Sequence, residues 1–249
     1  MASHQIIALW VHPRSMSTAV ERIMRERGDL TCFHEPFMYD YYLNRSLRSM
    51  PQFEPEEHQR QSYDETWRMI LEAAKQGPVC FKDMSYYHLP QIYEDVELAK
   101  RLTNIFLIRD PRRAILSYHK LDAGVSSVEI GLEALWLHAN WLDTVVGQTP
   151  IVVEAEAIQA DPVGTVGGVW ERIGLPDCPQ AFAWRDGEIP EGWRSVTGWH
   201  KDVIDASGIR PPEEDGIAEK FSQAAAREPR LQQLLDQHLP FYNMLKSIA

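Results

Sequence analysis

A short run after the first apolar segment carries side chains suited to holding an oxyanion. The run His12-Pro13-Arg14-Ser15-Met16-Ser17-Thr18 leads directly into a predicted helix, so it would place free backbone N–H groups, hydroxyls and a guanidinium together. A simpler interpretation is an ordinary helix start, capped by Ser17 and Thr18. No glycine occurs before Gly28, so the run is not a Walker A loop. A conventional ATP or GTP hydrolase is therefore disfavoured.

A second group of cationic residues follows a later apolar run. Arg109, Arg112 and Arg113 stand close together, and Ser117 follows them, in a chain whose formal net charge is −11. Arg109 comes directly after the predicted strand and is placed to reach a ligand, whereas Arg112 and Arg113 also fit ordinary surface charge. Pairing of Arg109 with a neighbouring Asp or Glu is the alternative.

Alternating strands and helices must position these two segments. Apolar runs predict strands over residues 5–11, 30–34, 78–84, 104–108 and 151–153. Apolar spacing and breakers predict helices over residues 19–27, 89–102, 129–146 and 163–173, one starting at Pro111, and one over 230–245 interrupted by Pro240. This order predicts an α/β fold: three layers, with a central, mainly parallel sheet of about five strands flanked by helices. Ligands bind such sheets at the carboxyl ends of the strands.

Two stretches depart from this alternation. Residues 39–63 are aromatic and polar, and we consider them a candidate cap over the site. Residues 186–214 are rich in Gly, Pro and Trp, which predicts a long loop able to act as a lid. Six aromatic residues are candidates for an apolar acceptor pocket, although such residues are more often core: Tyr39, Tyr41, Tyr42, Tyr86, Tyr87 and Trp136.

Composition limits the partners of the chain. With 249 residues and 44% apolar residues, residues 1–249 fit a single globular domain. The acidic balance argues against nucleic acid and against an anionic membrane surface. The chain has neither a basic leader nor a membrane-length apolar run, so we expect a cytoplasmic protein. Three scattered cysteines predict reduced thiols rather than a disulfide framework or a metal site. The sequence allows a homodimer as well as a monomer.

Taken together, the two cationic segments resemble sulfotransferases that use 3′-phosphoadenosine 5′-phosphosulfate (PAPS). That family marks its phosphosulfate loop with Pro-(Lys/Arg)-Ser-Gly-(Ser/Thr)-Thr, which is similar to Pro13-Arg14-Ser15-Met16-Ser17-Thr18. Its 3′-phosphate site has Arg, Pro and Ser in the register of Arg109, Pro111 and Ser117. Asp161-Pro162 and Gly174-Leu175-Pro176 extend the resemblance, which covers residues 6–176. Arg14 replaces a common lysine, and Met16 replaces the usual glycine.

The resemblance implies roles for further residues. Glu35, in a Glu-Pro segment after the second strand, would be the general base, because Met84 stands where many members have a catalytic histidine. The alternative for Glu35 is a structural ion pair with Arg14. Lys82 matches the lysine that steadies the bridging oxygen, while His88 and His34 are second and third candidates for the base. Trp199 and Lys201 belong to a segment that would close over the nucleotide.

These features predict an enzyme that moves a sulfuryl group from PAPS to a hydroxyl or amine of a small-molecule acceptor and releases PAP. Cationic side chains and backbone N–H groups would stabilise the transferred charge without a metal ion. Two alternatives stay open at this point. One is a P-loop kinase, although the Walker lysine and Mg²⁺-binding carboxylates are not evident. The other is a non-catalytic nucleotide-binding protein.

Overall fold

The computed structural model describes residues 4–55, 61–212 and 216–249. Its sheet has five parallel strands: Ile6–Val11 (β1), Thr31–His34 (β2), Val79–Met84 (β3), Leu102–Ile108 (β4) and Ile151–Glu154 (β5). Their spatial order is β2-β3-β1-β4-β5. The predicted α/β fold with a parallel sheet of five strands is confirmed.

Helices pack around this sheet. Twelve α-helices are described: Ser17–Glu26 (α1), Tyr63–Ala73 (α2), Ser85–His88 (α3), Val96–Ala99 (α4), Pro111–His119 (α5), Ser127–Ile130 (α6), Leu132–Trp141 (α7), Ala155–Ala160 (α8), Pro162–Arg172 (α9), Lys201–Ile204 (α10), Ile217–Arg227 (α11) and Pro229–Lys246 (α12). Short 3₁₀ segments occupy Gln91–Glu94, Pro179–Phe182 and Glu191–Trp199, and π-helical turns occupy Asp40–Asn44 and Leu142–Val146.

Strand β1 is the centre of the sheet. All six of its residues are buried, and it pairs with β3 on one side and β4 on the other, with Val11 opposite both Met84 and Leu107. The segments that follow these three strands therefore leave the sheet at one edge. From β1 the chain passes to β2 on one side, and from β4 it passes to β5 on the other, which opens a crevice between β1 and β4.

The structure corrects several predicted helix boundaries. Helix α1 begins at Ser17 after Met16 at φ 67°, without a side-chain cap, so the predicted Ser17–Thr18 cap is wrong. Gly131, at φ 76°, divides the helix predicted over 129–146 into α6 and α7, followed by a π-helical turn. The predicted helix over 89–102 is two short helices, because β4 already begins at Leu102. Helix α12 runs through Pro240, since burial of Leu235, Tyr242 and Leu245 holds both halves in line.

Other helices lie where the sequence indicated none. Helix α2 starts with a capping box formed by Ser62 and Glu65. Helix α11 was likewise not predicted. The expected long loop over 186–214 instead contains the 3₁₀ segment Glu191–Trp199 and α10, and its residues 213 and 214 lie outside the described residues. Within the candidate cap over 39–63, residues 56–60 also lie outside them.

Two further sequence expectations bear on this fold. Cys32, Cys80 and Cys178 are free thiols, the last two buried. Across the described ranges, no helix has both the length and the apolar character needed to cross a bilayer.

Candidate active site

The loop between β1 and α1 adopts a backbone that glycine normally supplies. Arg14 has φ 62° and Met16 has φ 67°, both in the left-handed region. Such conformations cost free energy in residues with a side chain and tend to persist at functional sites. Met16 therefore adopts a backbone conformation that a glycine would take at lower cost.

Arg14 joins three separated parts of the chain. Its Nε donates to Ser117 Oγ at 2.8 Å, and its Nη1 donates to the Trp199 carbonyl at 2.7 Å. Asp202 lies 3.4 Å from Nη2. Arg109 Nη1 in turn donates to the Arg14 carbonyl at 3.1 Å. The structure thus brings together four residues that the sequence proposed for one ligand.

These residues surround a cavity of about 450 Å³ at the carboxyl edge of the sheet. Its described lining contains the acidic Glu35 and Asp202, and six cationic residues: Arg14, Arg109, Arg113, Lys120, Arg210 and Lys220. The excess of positive charge is notable because the whole chain carries −11. The cavity is therefore the place where this acidic protein favours an anion.

The other predicted ligand residues divide between the cavity wall and its surroundings. Met16, Ser17 and Thr18 line the cavity, as do Ser117 and Trp199. Ser15 is fully buried behind the loop, and Lys201 is exposed and does not line the cavity. Arg109 lines the cavity, and its buried Nε has no hydrogen-bond partner among the described residues. Such an unsatisfied donor fits an anionic ligand.

Glu35 presents a carboxylate to the cavity from the residue after β2. Its Oε1 accepts a hydrogen bond from the fully buried Lys82, and its Oε2 accepts one from Tyr87 at 3.2 Å. Burial alone would raise the pKa of Glu35, but Lys82 and His34 outweigh burial and hold the pKa below its ordinary value. Glu35 is therefore ionised at neutral pH, and its ion-pair partner is Lys82 rather than Arg14.

Behind Glu35, a chain of hydrogen bonds links α1 to the 186–212 segment. Glu21 Oε2 and His34 Nδ1 are 2.5 Å apart, and His34 Nε2 and His200 Nε2 are 2.9 Å apart. His200 Nδ1 lies 3.3 Å from Thr18 Oγ1, which lines the cavity. Sequence reasoning missed Glu21 and His200. Glu21 and Arg25 have the spacing of an ordinary helical ion pair, so the sequence offers no signal for a second role.

One cluster among the described residues has the composition of a metal site. Ligand atoms of His34, Glu35 and His200 lie within 4.8 Å of one another. The Lys82 ammonium, however, already bonds the Glu35 carboxylate, and the two imidazoles bond each other. A cation is therefore already present where a metal would bind, and the ligand atoms are occupied.

His88, the second candidate for the base, does not line the cavity. It is fully buried, with its ring 4.5 Å from that of Trp10 and 5.2 Å from that of His138. Burial and the neighbouring His138 keep its pKa well below the ordinary value. The predicted placement of His88 beside the other site residues is wrong, because the turn after β3 directs the side chain into the aromatic core.

Next to Glu35, the cavity wall is apolar and aromatic. Of the aromatic residues considered for the acceptor, Tyr86 and Tyr87 line the cavity, whereas Tyr39, Tyr41, Tyr42 and Trp136 do not. Tyr118 and Trp199 also line it and pack edge to face at 5.1 Å. Met50, Met84 and Val196 are further apolar residues of the lining. The described cavity lining thus combines cationic side chains with apolar and aromatic ones, and Glu35 is one of its two carboxylates.

Comparison with known proteins bears on the family and the fold of the chain. The model of a family described as "Sulfotransferase domain" matches residues 4–249. Among solved structures, the sulfotransferase domain of the Synechococcus PCC 7002 olefin synthase has a TM-score of 0.57 at 16% identity, covering 95% of each chain. Mouse sulfotransferase SULT7A1, solved in complex with PAP, has a TM-score of 0.57 at 10% identity, covering all of this chain and 90% of the mouse chain.

A curated relative is considerably longer. Branched-chain-amino-acid aminotransferase-like protein 1 from Arabidopsis thaliana is 25% identical over 263 residues, covering 99% of this chain. The chain spans 42% of the length of that relative.

Proposed function

We propose that this chain, which belongs to the sulfotransferase family, transfers a sulfuryl group from PAPS to a hydroxyl or amine of a small-molecule acceptor. The observation that carries the proposal is the meeting of Arg14, Arg109 and Ser117 at one rim of the sheet, beside an ionised carboxylate. PAP in the mouse neighbour supports the choice of nucleotide.

The residues present fit such a donor. The loop after β1, with Arg14 and Thr18, would hold the phosphosulfate end, and Arg109 with Ser117 would hold the 3′-phosphate. The unsatisfied Arg109 Nε is a donor that an anionic ligand would use. Trp199 lines the cavity and gives the nucleotide an apolar surface, whereas the exposed Lys201 has no part in this proposal. When bound, PAPS supplies the sulfuryl group and leaves as PAP.

The proton of the acceptor passes to Glu35. The carboxylate lines the cavity, is ionised and is the general base of this proposal. Lys82 fixes one carboxylate oxygen and Tyr87 the other, so the base has a defined orientation. The positive charge of Arg14 stabilises the negative charge that develops on the leaving phosphate, so the proposal includes no metal ion. Lys82 is fully buried, is paired with Glu35 and is not among the described residues that line the cavity, so the proposal gives it no contact with the bridging oxygen, contrary to the expectation from the sequence.

The acceptor is proposed to be a small molecule with an apolar or aromatic body. Such a molecule would contact Tyr86, Tyr87 and Tyr118 while its hydroxyl or amine faces Glu35.

Nucleotide binding and turnover together test the proposal. PAP should raise the thermal unfolding midpoint, and the shift should grow with the logarithm of the PAP concentration above its Kd, whereas ATP at equal concentration should give no shift. A panel of phenols, alcohols and amines incubated with PAPS should then yield at least one sulfated product.

An Arg14→Ala variant should lose the shift caused by PAP, and Arg172→Ala, exposed at the end of α9, should keep it. A shift by ATP but not by PAP would reject the proposed donor. PAP binding without sulfation of any acceptor would indicate a binding protein.

A further inference from the structure

The hydrogen-bond chain behind Glu35 ends at a hydroxyl of the nucleotide loop. It runs from Glu21 through His34 and His200 to Thr18, and each of the first three side chains is at least nine-tenths buried. Thr18 lines the cavity at the start of α1, where the proposed function places the phosphosulfate end of the donor. The two ends of the chain are thus a buried carboxylate and a ligand-facing hydroxyl.

With both imidazoles neutral, hydrogen-bond matching fixes every direction in the chain. The Glu21 carboxylate can only accept, so His34 Nδ1 carries a hydrogen and His34 Nε2 is an acceptor. His200 Nε2 must then donate to His34, which leaves His200 Nδ1 as an acceptor. Thr18 therefore donates its hydrogen inward to His200. In this state the Thr18 hydroxyl cannot donate to a phosphate oxygen.

One added proton reverses the two directions beyond His34 and leaves His34 Nδ1 donating to Glu21. If His34 carries hydrogens on both ring nitrogens, Nε2 donates to His200 Nε2, and His200 Nδ1 then donates to Thr18 Oγ1. The hydroxyl hydrogen is released toward the cavity, where it can bond an anion. The change adds one proton from solvent and breaks no bond between heavy atoms.

We propose that the Glu21–His34–His200 chain is a proton relay that turns the Thr18 hydroxyl toward the donor, so that nucleotide binding takes up one proton. This inference rests on the proposed donor site. An anion in the cavity favours the protonated relay, because its negative charge stabilises the added positive charge. Glu21, His34 and His200 are positioning residues here, since they act on the ligand through Thr18.

Charged groups of both signs surround the relay. Burial alone would raise the pKa of Glu21, but the hydrogen bond with His34 and the charges of Lys82 and Arg25 outweigh burial and lower it. Burial is the main cause that lowers the pKa of His200, and Lys82 adds to it, so His200 is neutral in both states of the relay. The charged groups that face the relay from the elements packed around it are Glu21 and Arg25 on α1, Glu35 after β2, Lys82 on β3 and Arg14 before α1.

Calorimetry of PAP binding in two buffers of different ionisation enthalpy measures the proton uptake directly. At about pH 8, where free histidine is largely neutral, the wild type should take up more protons than a His34→Asn variant, by up to about one per PAP bound. The added proton resides on His34, and Asn keeps hydrogen-bonding groups at this position but cannot hold that proton. Protons exchanged by the PAP phosphates are common to both proteins and cancel in the difference.

A matched pair at Thr18 provides the second arm. Thr18→Ser keeps the hydroxyl and should keep the uptake, whereas Thr18→Val should lose it as His34→Asn does. The affinity of the wild type should also fall with rising pH, by up to about tenfold per pH unit in Kd, and this dependence should be shallower in Thr18→Val.

The failures of the two proposals are distinguishable. If PAP does not bind the wild type, the proposed donor is wrong. If PAP binds and the uptake is the same in wild type, His34→Asn and Thr18→Val, the relay is wrong while the donor site stands. Thr18 lies on the cavity wall, so its two variants test the relay even if His34→Asn does not fold.

Discussion

Glu35 combines two properties at the scale of a single residue. Its φ of 39° lies in the left-handed region, and its carboxylate is held by Lys82 and Tyr87 while still lining the cavity. Strained backbone and a shifted pKa at one position are typical of functional carboxylates. Pairing with Lys82 keeps the carboxylate ionised and ready to accept a proton.

Replacing this carboxylate separates the proposed chemistry from nucleotide binding. Glu35→Gln should lower kcat for sulfation by about 10²- to 10⁴-fold, because the amide cannot accept the acceptor proton, while the Kd for PAP changes little. Steady-state rates and calorimetric PAP binding measure the two quantities. Glu97→Gln, on an exposed helix, is the matched control. Retention of full kcat in Glu35→Gln would exclude Glu35 as the base.

Binding of two different nucleotides should distinguish the role of Arg109 from that of Arg14. Arg109→Ala should weaken PAP binding by about 10- to 100-fold, the usual cost of losing charged hydrogen bonds, and should change the affinity for adenosine 5′-phosphate much less. That nucleotide lacks the 3′-phosphate proposed to contact Arg109. Arg14→Ala should weaken both nucleotides. If Arg109→Ala lost affinity for both nucleotides by the same factor, the assignment of Arg109 to the 3′-phosphate would be contradicted.

At the scale of elements, Gly131 connects the helical layer to the nucleotide loop. It lies at φ 76° between α6 and α7, and a Cβ built on it would approach Pro13 Cδ at 3.1 Å and His12 Cβ at 3.3 Å. Gly131, where the predicted helix over 129–146 is interrupted, therefore directly contacts His12 and Pro13 at the start of the nucleotide loop. Glycine at this position lets α7 start against the segment that leads into Arg14.

A side chain at Gly131 should disturb both stability and binding. Gly131→Ala should lower the free energy of unfolding by about 1–2 kcal/mol for the left-handed backbone alone, and the contact with Pro13 should also weaken PAP binding. Urea unfolding and PAP titration measure these effects. Gly168→Ala is the control: its Cβ meets nothing within 4 Å on α9, so the variant should be as stable or more stable. If Gly131→Ala and Gly168→Ala had the same stability and the same affinity for PAP, Gly131 would not have the role described here.

At the scale of the whole molecule, buried neutral histidines link folding to pH. Burial lowers the pKa of both His12 and His138 to about 3, and of His238 to about 4. In the unfolded chain these groups titrate near pH 6.5. Below pH 6.5 the unfolded state binds protons that the folded state does not bind. The stability that the folded protein has above pH 6.5 is therefore progressively lost as the pH falls.

As the pH is lowered from about 6.5 to 5, the free energy of unfolding should therefore decrease. The decrease should be about 1.4 kcal/mol per pH unit for each histidine that stays neutral in the folded protein. Urea unfolding across this range measures the slope. His138→Gln should reduce the slope, because one histidine is removed from the balance. A stability independent of pH in this window would show that these histidines ionise within the fold.

Local patterns in the sequence determined the strands and the ligand-binding segments. The apolar runs that predict β1 to β5 mark buried strands because both faces of a parallel sheet are covered. Arg14, Ser117 and Arg109 were identifiable because each stands next to a strand or helix end, and parallel strands bring such ends to one edge. Helix α2 and the break at Gly131 were missed, since a capping box and a single left-handed residue are weaker signals than apolar spacing.

Only the tertiary structure decided which polar groups become partners. Glu35 pairs with Lys82, and His34 bonds Glu21 and His200, across separations of 13 to 166 residues. The path of the 186–212 segment over the sheet edge brings His200 to Thr18, and the turn after β3 buries His88. Contacts of this kind depend on the order of strands and the packing of layers, which no local pattern of residues encodes.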